Sequence, residues 1–255
     1  MQPAKQQIHD QTREDMRRHL AMPAWSDRQK LALTCRMLAD EGHGSGLAGQ
    51  ATARAAPGRW WTLPLGVGFD EAAASRFILV DDALGVVEGA GMPNPAVRFH
   101  LWIYRARPAV NCIVHTHPPY ASALSMVGKR LVVAHMDAAM FHDDCAYLAE
   151  WPGVPVADEE GRLIAGALGA KRSILLAHHG MLTTGATVEE AAYLAVLLER
   201  AARLQVRAEA IGEIRPIDPA HARDAHDFLL KPEIVGATFA YFARQALAGA
   251  PGCLE

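Results

Sequence analysis

Apolar and polar positions follow two rhythms along this chain, and each predicts its own kind of element. A helical rhythm appears where Leu31, Cys35 and Leu38 fall at i, i+4 and i+7, behind a Ser26–Gln29 pair that predicts a capping box. That helix is expected to end at Gly42, and the polar, charged run over 8–22 predicts another before it. The stretch "GHGSGLAGQ" is too rich in glycine for regular structure and predicts a flexible or ligand-shaping loop. Short strands are expected at 51–55, 60–64, 76–80 and 84–88, then a helix over 94–107 with Pro95 in its first turn. "PAVNCIVH" reads as a buried strand, and 118–126 as the helix that leaves it. Further on, 158–168 is expected to be helical and "RSILLAHHG" to be a second fully apolar strand. A Thr187–Glu190 capping box then opens a long alanine-rich helix to about Ile211, with Leu194, Leu197, Leu198 and Leu204 along one side. "PIDP" breaks that helix, and the remainder is helical and aromatic. Strands and helices mix without a strict βαβ alternation, so the fold class is α/β, with a mixed or antiparallel sheet covered by helices.

The chain has 255 residues, enough for one well-filled domain or a domain with an appended subdomain. A net charge of −3 advertises neither nucleic acid nor an anionic membrane as partner, and no apolar run reaches transmembrane length. The first twenty residues lack the apolar core of a signal peptide, so a cytoplasmic location is expected. Four cysteines, widely spaced and without C-x-x-C, read as reduced thiols and not as a zinc ribbon or disulfide scaffold. Twelve histidines are the feature out of proportion.

Two apolar strands end in histidine: His115 and His117 within "CIVHTHPPY", and His178 and His179 within "LLAHHG". Alternate residues of a strand face the same way, so His115 and His117 can converge on one point. Adjacent residues face opposite ways, so only one of His178 and His179 can join them. Three neutral imidazoles with an open fourth position form a catalytic arrangement for a divalent cation. The plainer reading is that each histidine ends its strand satisfied by a backbone hydrogen bond.

"RPAVNCIVHTHPPYASALS" and "LLAHHGMLTTGATVEEA" resemble the class II aldolase/adducin family, which pairs an "RPDV…VVHTH" strand with a later "NHGL" strand and a "G.TVEEA" helix. The resemblance runs from about Ser26 to Ala210. It implies an α/β/α sandwich around a mainly antiparallel sheet of about nine strands, assembled as a homotetramer. It also implies one divalent metal per subunit, held by His115, His117 and, because it precedes the glycine, His179. The metal is expected to be Zn²⁺ or Mn²⁺, with Fe²⁺ a third option. His178 stands where the family often has asparagine. The expected organisation is a helical extension over 1–25, the family domain over 26–212, and a C-terminal helical extension over 213–255 that packs on the core or a neighbouring subunit.

Departures from the family pattern shape the functional expectation. Sugar-phosphate aldolases of the family carry an acid/base glutamate in "SSEWRFH"; aligned on "RFH", that position is Ala96, and the serines before it become Asn94 and Pro95. "GQATAR" and "LPLG" replace the phosphate-gripping "GN.S.R" and "TPTG". A phosphate dianion needs donors to offset its desolvation, and Leu65 and Pro95 supply none. Retro-aldol cleavage needs a base, which Ala96 cannot be, whereas decarboxylation needs a charge sink and a later acid. The sequence looks most like the branch acting on unphosphorylated substrates, which includes metal-dependent decarboxylases of hydroxylated aromatic dicarboxylic acids such as 3-hydroxy-2-methylpyridine-4,5-dicarboxylate. A lyase acting on a small carboxylate is therefore expected, decarboxylation first. An aldolase for a hydroxy-keto acid, an iron-dependent oxygenase and an adducin-like binding module are the alternatives.

His178 and Tyr120, beside water, are the candidate proton donors. Gln50, His43 and Arg98 are the candidate substrate contacts, weighed against ordinary loop polarity for His43 and a structural ion pair for Arg98. His100 is expected to be structural. The segment carrying His135, Asp137 and His142 is either an exposed loop or part of the site's surroundings. Phe239, Tyr241 and Phe242 are expected in the core or at a subunit interface.

Overall fold

The run from Cys112 to Thr116 sends alternate side chains into two different environments, and the fold is arranged about it. In the computed structural model, which describes residues 3–20 and 23–255, eight strands form one sheet. They are β1 (Gln50–Ala56), β2 (Arg59–Thr62), β3 (Ile78–Val80), β4 (Val86–Glu88), β5 (Cys112–Thr116), β6 (Cys145–Leu148), β7 (Ser173–Leu176) and β8 (Gly180–Gly185). The spatial order is β4-β3-β2-β1-β5-β8-β7-β6, antiparallel except for the β6–β7 pair. The helices are α1 (Pro3–His19), α2 (Asp27–Asp40), α3 (Val97–Ala106), α4 (Pro119–Met126), α5 (Asp158–Leu168), α6 (Val188–Glu209), α7 (Pro219–Leu229) and α8 (Pro232–Gly249).

Cys112 and Val114 enter a core shared with α2, α4, α6 and α8, while Ile113 enters a second core with α3 and α5. The result is an α/β/α sandwich with β5 at its centre. Its sheet has eight strands where the resemblance implies about nine. Phe239 and Phe242 of α8 are buried in the larger core, and α1 is tied to the first turn of α8 by Arg13, 3.1 Å from Glu233. No helix among the described residues is long and apolar enough to cross a membrane, and all four cysteines are free thiols.

Several local expectations change. The first helix covers 3–19 instead of 8–22; residues 21 and 22 lie outside the described residues. Ser26 and Gln29 make both halves of the capping box. At α6 only half of one forms: Thr187 accepts from the Glu190 N–H, but the Glu190 carboxylate turns away to the Ala186 N–H and Arg172. The helix expected from Asn94 starts at Val97, because the Asn94 side chain accepts from the Ala96 N–H and holds a turn there. Leu204 is 45% exposed, and with Val132 and Ile214 it lines an apolar cleft of about 200 Å³.

The largest difference concerns "HHG". These residues were expected at the end of a strand; β7 stops at Leu176, and a tight turn over 177–179 leads into β8. The run "GMLTTG" carries no clear alternation, since it is buried on both faces and bounded by glycines.

Candidate metal centre

β5 places His115 opposite Gln50 on β1 and Leu182 on β8, facing the layer of α3 and α5. The His115 Nδ1 donates to the Met181 carbonyl at 2.8 Å, which leaves the lone pair on Nε2. His117 follows two residues on, and its Nε2 stands 3.0 Å from that Nε2. His179 closes the group from the β7–β8 turn: the ligand-capable nitrogens of the three lie within 4.8 Å of one another. Burial, reinforced by the neighbouring imidazoles, holds His115 well below the ordinary histidine range. Burial also lowers His117, and takes His179 down to about 4. All three are neutral at pH 7, the state in which imidazole ligates.

This donor set fits a divalent cation. Two ring nitrogens at 3.0 Å, one of them with no proton to donate, suit a shared ion about 2.0–2.1 Å from each. No carboxylate joins the cluster among the described residues.

Gly180 explains why the turn ends in glycine. A Cβ there would stand 2.4 Å from the Thr116 carbonyl oxygen and 2.8 Å from the His117 ring, so β8 can pass beneath the ligand pair only without a side chain. His178 occupies the left-handed region at φ 57° and is exposed. Asparagine, which the family often has there, adopts that conformation more readily. His178 is thus kept from the cluster by the turn, and not by strand alternation.

The prolines of "HTHPPY" also find their reason. Pro119 occupies the first turn of α4, where a missing N–H costs nothing. The next two N–H groups, of Tyr120 and Ala121, donate to the two carboxylate oxygens of Glu199 at 2.9 and 2.8 Å. Burial raises the Glu199 pKa against the opposing effect of those two bonds. Glu199 therefore fixes the chain just beyond His117, and sequence reasoning missed it. The signal was available: Ala195, Leu198, Glu199 and Ala202 form an i, i+3, i+4, i+7 stripe, all buried, with one carboxylate in it.

The other candidates are placed as follows. Gln50 is buried beside His115, and its Oε1 has no protein partner. Arg98, half-buried in the first turn of α3, forms no ion pair among the described residues. Tyr120 packs toward the larger core, with the Arg207 guanidinium 5.9 Å from its ring centre. His43 has no exposed surface and bonds Thr116, which alternates to the face opposite His115. His100 is equally buried and bonds Thr52. His135 caps a short turn of helix over 136–141, and Ala138 through Phe141 are buried.

Burial takes His43 down to about 4 and His100 to about 3. Both values lie below 6.5, so as pH falls the unfolded chain takes up protons first. The stability these residues contribute is complete above about pH 6.5 and is lost as pH falls toward 4, at about 1.4 kcal/mol per unit for each. Urea unfolding of the metal-free protein is expected to show up to about 4 kcal/mol less stability at pH 5 than at pH 7 from these two histidines, offset in part by His226, whose pKa the Asp144 carboxylate raises. A loss under about 1 kcal/mol would mean that these histidines protonate in the folded state.

Comparison with known proteins identifies the family. The family described as Class II Aldolase and Adducin N-terminal domain matches residues 29–206. The decarboxylase NovR of Streptomyces niveus is 34% identical over 166 residues, covering 64% of this chain and 62% of that protein. The 4-hydroxy-3-prenylphenylpyruvate oxygenase/4-hydroxy-3-prenylbenzoate synthase of Streptomyces roseochromogenus is also 34% identical over 166 residues, 64% of this chain and 60% of its own. The chain therefore spans about three-fifths of the length of each Streptomyces relative. Among solved structures, an L-fuculose 1-phosphate aldolase from Glaciozyma antarctica superposes with a TM-score of 0.83 at 27% identity, covering 90% of this chain and 92% of that one. The chain belongs to the class II aldolase and adducin family.

Proposed function

We propose that the chain is a divalent-metal-dependent carbon–carbon lyase for a small unphosphorylated acid, and that its reaction is decarboxylation of an aromatic hydroxy-carboxylate. The observation that carries this reading is a complete three-histidine centre combined with alanine at position 96, at the head of α3. The site keeps its means of accepting charge and lacks the family's base. Phosphate has little to bind: the Leu65 N–H is already committed to the Met92 carbonyl at 2.8 Å, and Pro95 has none.

A divalent ion held by His115, His117 and His179 would supply a Lewis acid for negative charge developing on a substrate oxygen. Three imidazoles without a carboxylate favour Zn²⁺ or Fe²⁺ over Mn²⁺. Arg98, without an ion-pair partner among the described residues, is suited to grip a carboxylate through its guanidinium. Gln50 offers its amide to the substrate hydroxyl beside His115. The bond between the ring carbon and its carboxyl breaks, CO₂ departs, and the electron pair left on the ring takes up a proton. His178 is exposed in its turn and Tyr120 packs toward the larger core, so we assign that proton to water.

The names of the two Streptomyces relatives, one a decarboxylase and one acting on prenylated aromatic acids, support the substrate class. A homotetramer in the cytoplasm completes the reading, with the apolar cleft around Leu204 available to a neighbouring subunit.

The test is product analysis. Protein loaded separately with Zn²⁺, Mn²⁺ and Fe²⁺ is incubated without O₂ against a panel of hydroxylated aromatic dicarboxylates. Metal-dependent CO₂ is expected. Pyruvate or an aldehyde released from hydroxy-keto acids, with no CO₂ from the panel, would move the reading to retro-aldol cleavage. Turnover confined to Fe²⁺ with O₂ would make the enzyme an oxygenase.

A further inference from the structure

The loop joining β6 to α5 carries features that neither the triad nor the fold uses. Within it Trp151, Val154 and Val156 are 54%, 66% and 46% exposed. Three large apolar side chains in water within six residues add nothing to stability and mark a contact surface. The same loop reaches one member of the triad: Trp151, Pro152 and Pro155 line a crevice with Leu176, Ala177 and His179. That crevice, about 10 Å³, holds one water at most, so a ring meets Trp151 at its open surface. The loop is also stiff. Two prolines bracket Gly153 at φ 101°, and the Val156 N–H donates to the Val154 carbonyl at 2.8 Å. Among the described residues the only other exposed large aromatic is Tyr241, on α8 in the opposite layer.

We propose that Trp151 is the aromatic wall of the substrate site and selects planar aromatic acids over aliphatic hydroxy acids. The proposal rests on the reading of the triad as a metal centre for a small carboxylate. An indole presented beside His179 offers a flat apolar surface and a ring quadrupole, to which an aromatic ring responds in offset or edge contact and a compact aliphatic chain does not. Rigidity helps, because a wall held in place loses little freedom when the ring arrives.

The experiment is calorimetric titration of the Zn²⁺-loaded protein with 2-hydroxybenzoate and, separately, 2-hydroxyisobutyrate. Both acids offer a hydroxyl and a carboxylate; only the first has a ring. Trp151→Ala is expected to weaken 2-hydroxybenzoate about tenfold and to leave 2-hydroxyisobutyrate within about twofold, while Trp151→Phe restores most of the loss. Quenching of tryptophan emission by 2-hydroxybenzoate should fall sharply in Trp151→Phe. Unchanged 2-hydroxybenzoate binding in Trp151→Ala, still dependent on Zn²⁺, would overturn the proposal and leave the metal reading standing. An equal loss for both acids would overturn the selectivity. Failure of the loaded wild type to bind either acid would remove the metal-site reading itself, and the proposal with it.

Discussion

His117→Ala is expected to abolish CO₂ release and to weaken Zn²⁺ binding by roughly a hundredfold or more, about 3 kcal/mol for one ligand of the set. The expectation follows from geometry. His115 and His117 share a face at the C-terminal end of β5 with their Nε2 atoms 3.0 Å apart, and His179 reaches them from the β7–β8 turn. Removing the middle member leaves two imidazoles and no substitute, because no carboxylate stands within the cluster among the described residues. The fold should survive, since His117 lies at the end of β5, is half-buried and supports no helix. Competition with a chromophoric chelator measures the affinity, and urea unfolding of the metal-free variant checks the fold. Full activity with intact metal content would show that the three histidines are not the reactive centre.

The second large effect is expected from the smallest change. Gly180→Ala should destabilise the metal-free protein by about 3 kcal/mol, since a Cβ 2.4 Å from the Thr116 carbonyl forces the β5–β8 pair apart. It should also weaken metal binding about 10- to 100-fold, because the displaced groups include the His117 ring. Gly166 in α5 is the control: nothing lies within 4 Å of its added Cβ, and alanine there is expected to stabilise by about 0.5–1 kcal/mol. If Gly180→Ala behaved like Gly166→Ala, β8 would not pass where the structure puts it.

What the sequence disclosed depended on how local the determining interaction is. His115 and His117 were legible because period-two geometry alone brings them together, and their rings do converge. Ser26 with Gln29, and the bounds of α5, are set by nearest neighbours and were legible too. The turn carrying His178 and His179 was not, because "GMLTTG" is buried on both faces and shows no alternation to announce β8. The pairing of Glu199 with α4 joins residues 78 and 79 apart in sequence, so only its place on a buried stripe hinted at it. Arg98 was expected to favour an ion pair, and no acidic partner is brought to it among the described residues. His43, weighed as a substrate contact, is fully buried on Thr116, whose side chain lies on the sheet face opposite His115.

The most direct measurement follows both products of one reaction. Zn²⁺-loaded protein, without O₂ and in D₂O, is given a dihydroxyphthalate labelled with ¹³C in its carboxyl groups. The account predicts one ¹³CO₂ per turnover and one deuterium on the vacated ring carbon, both lost in His117→Ala. No labelled CO₂ from any member of the hydroxylated dicarboxylate panel, with metal confirmed in place and a hydroxy-keto acid cleaved instead, would contradict it.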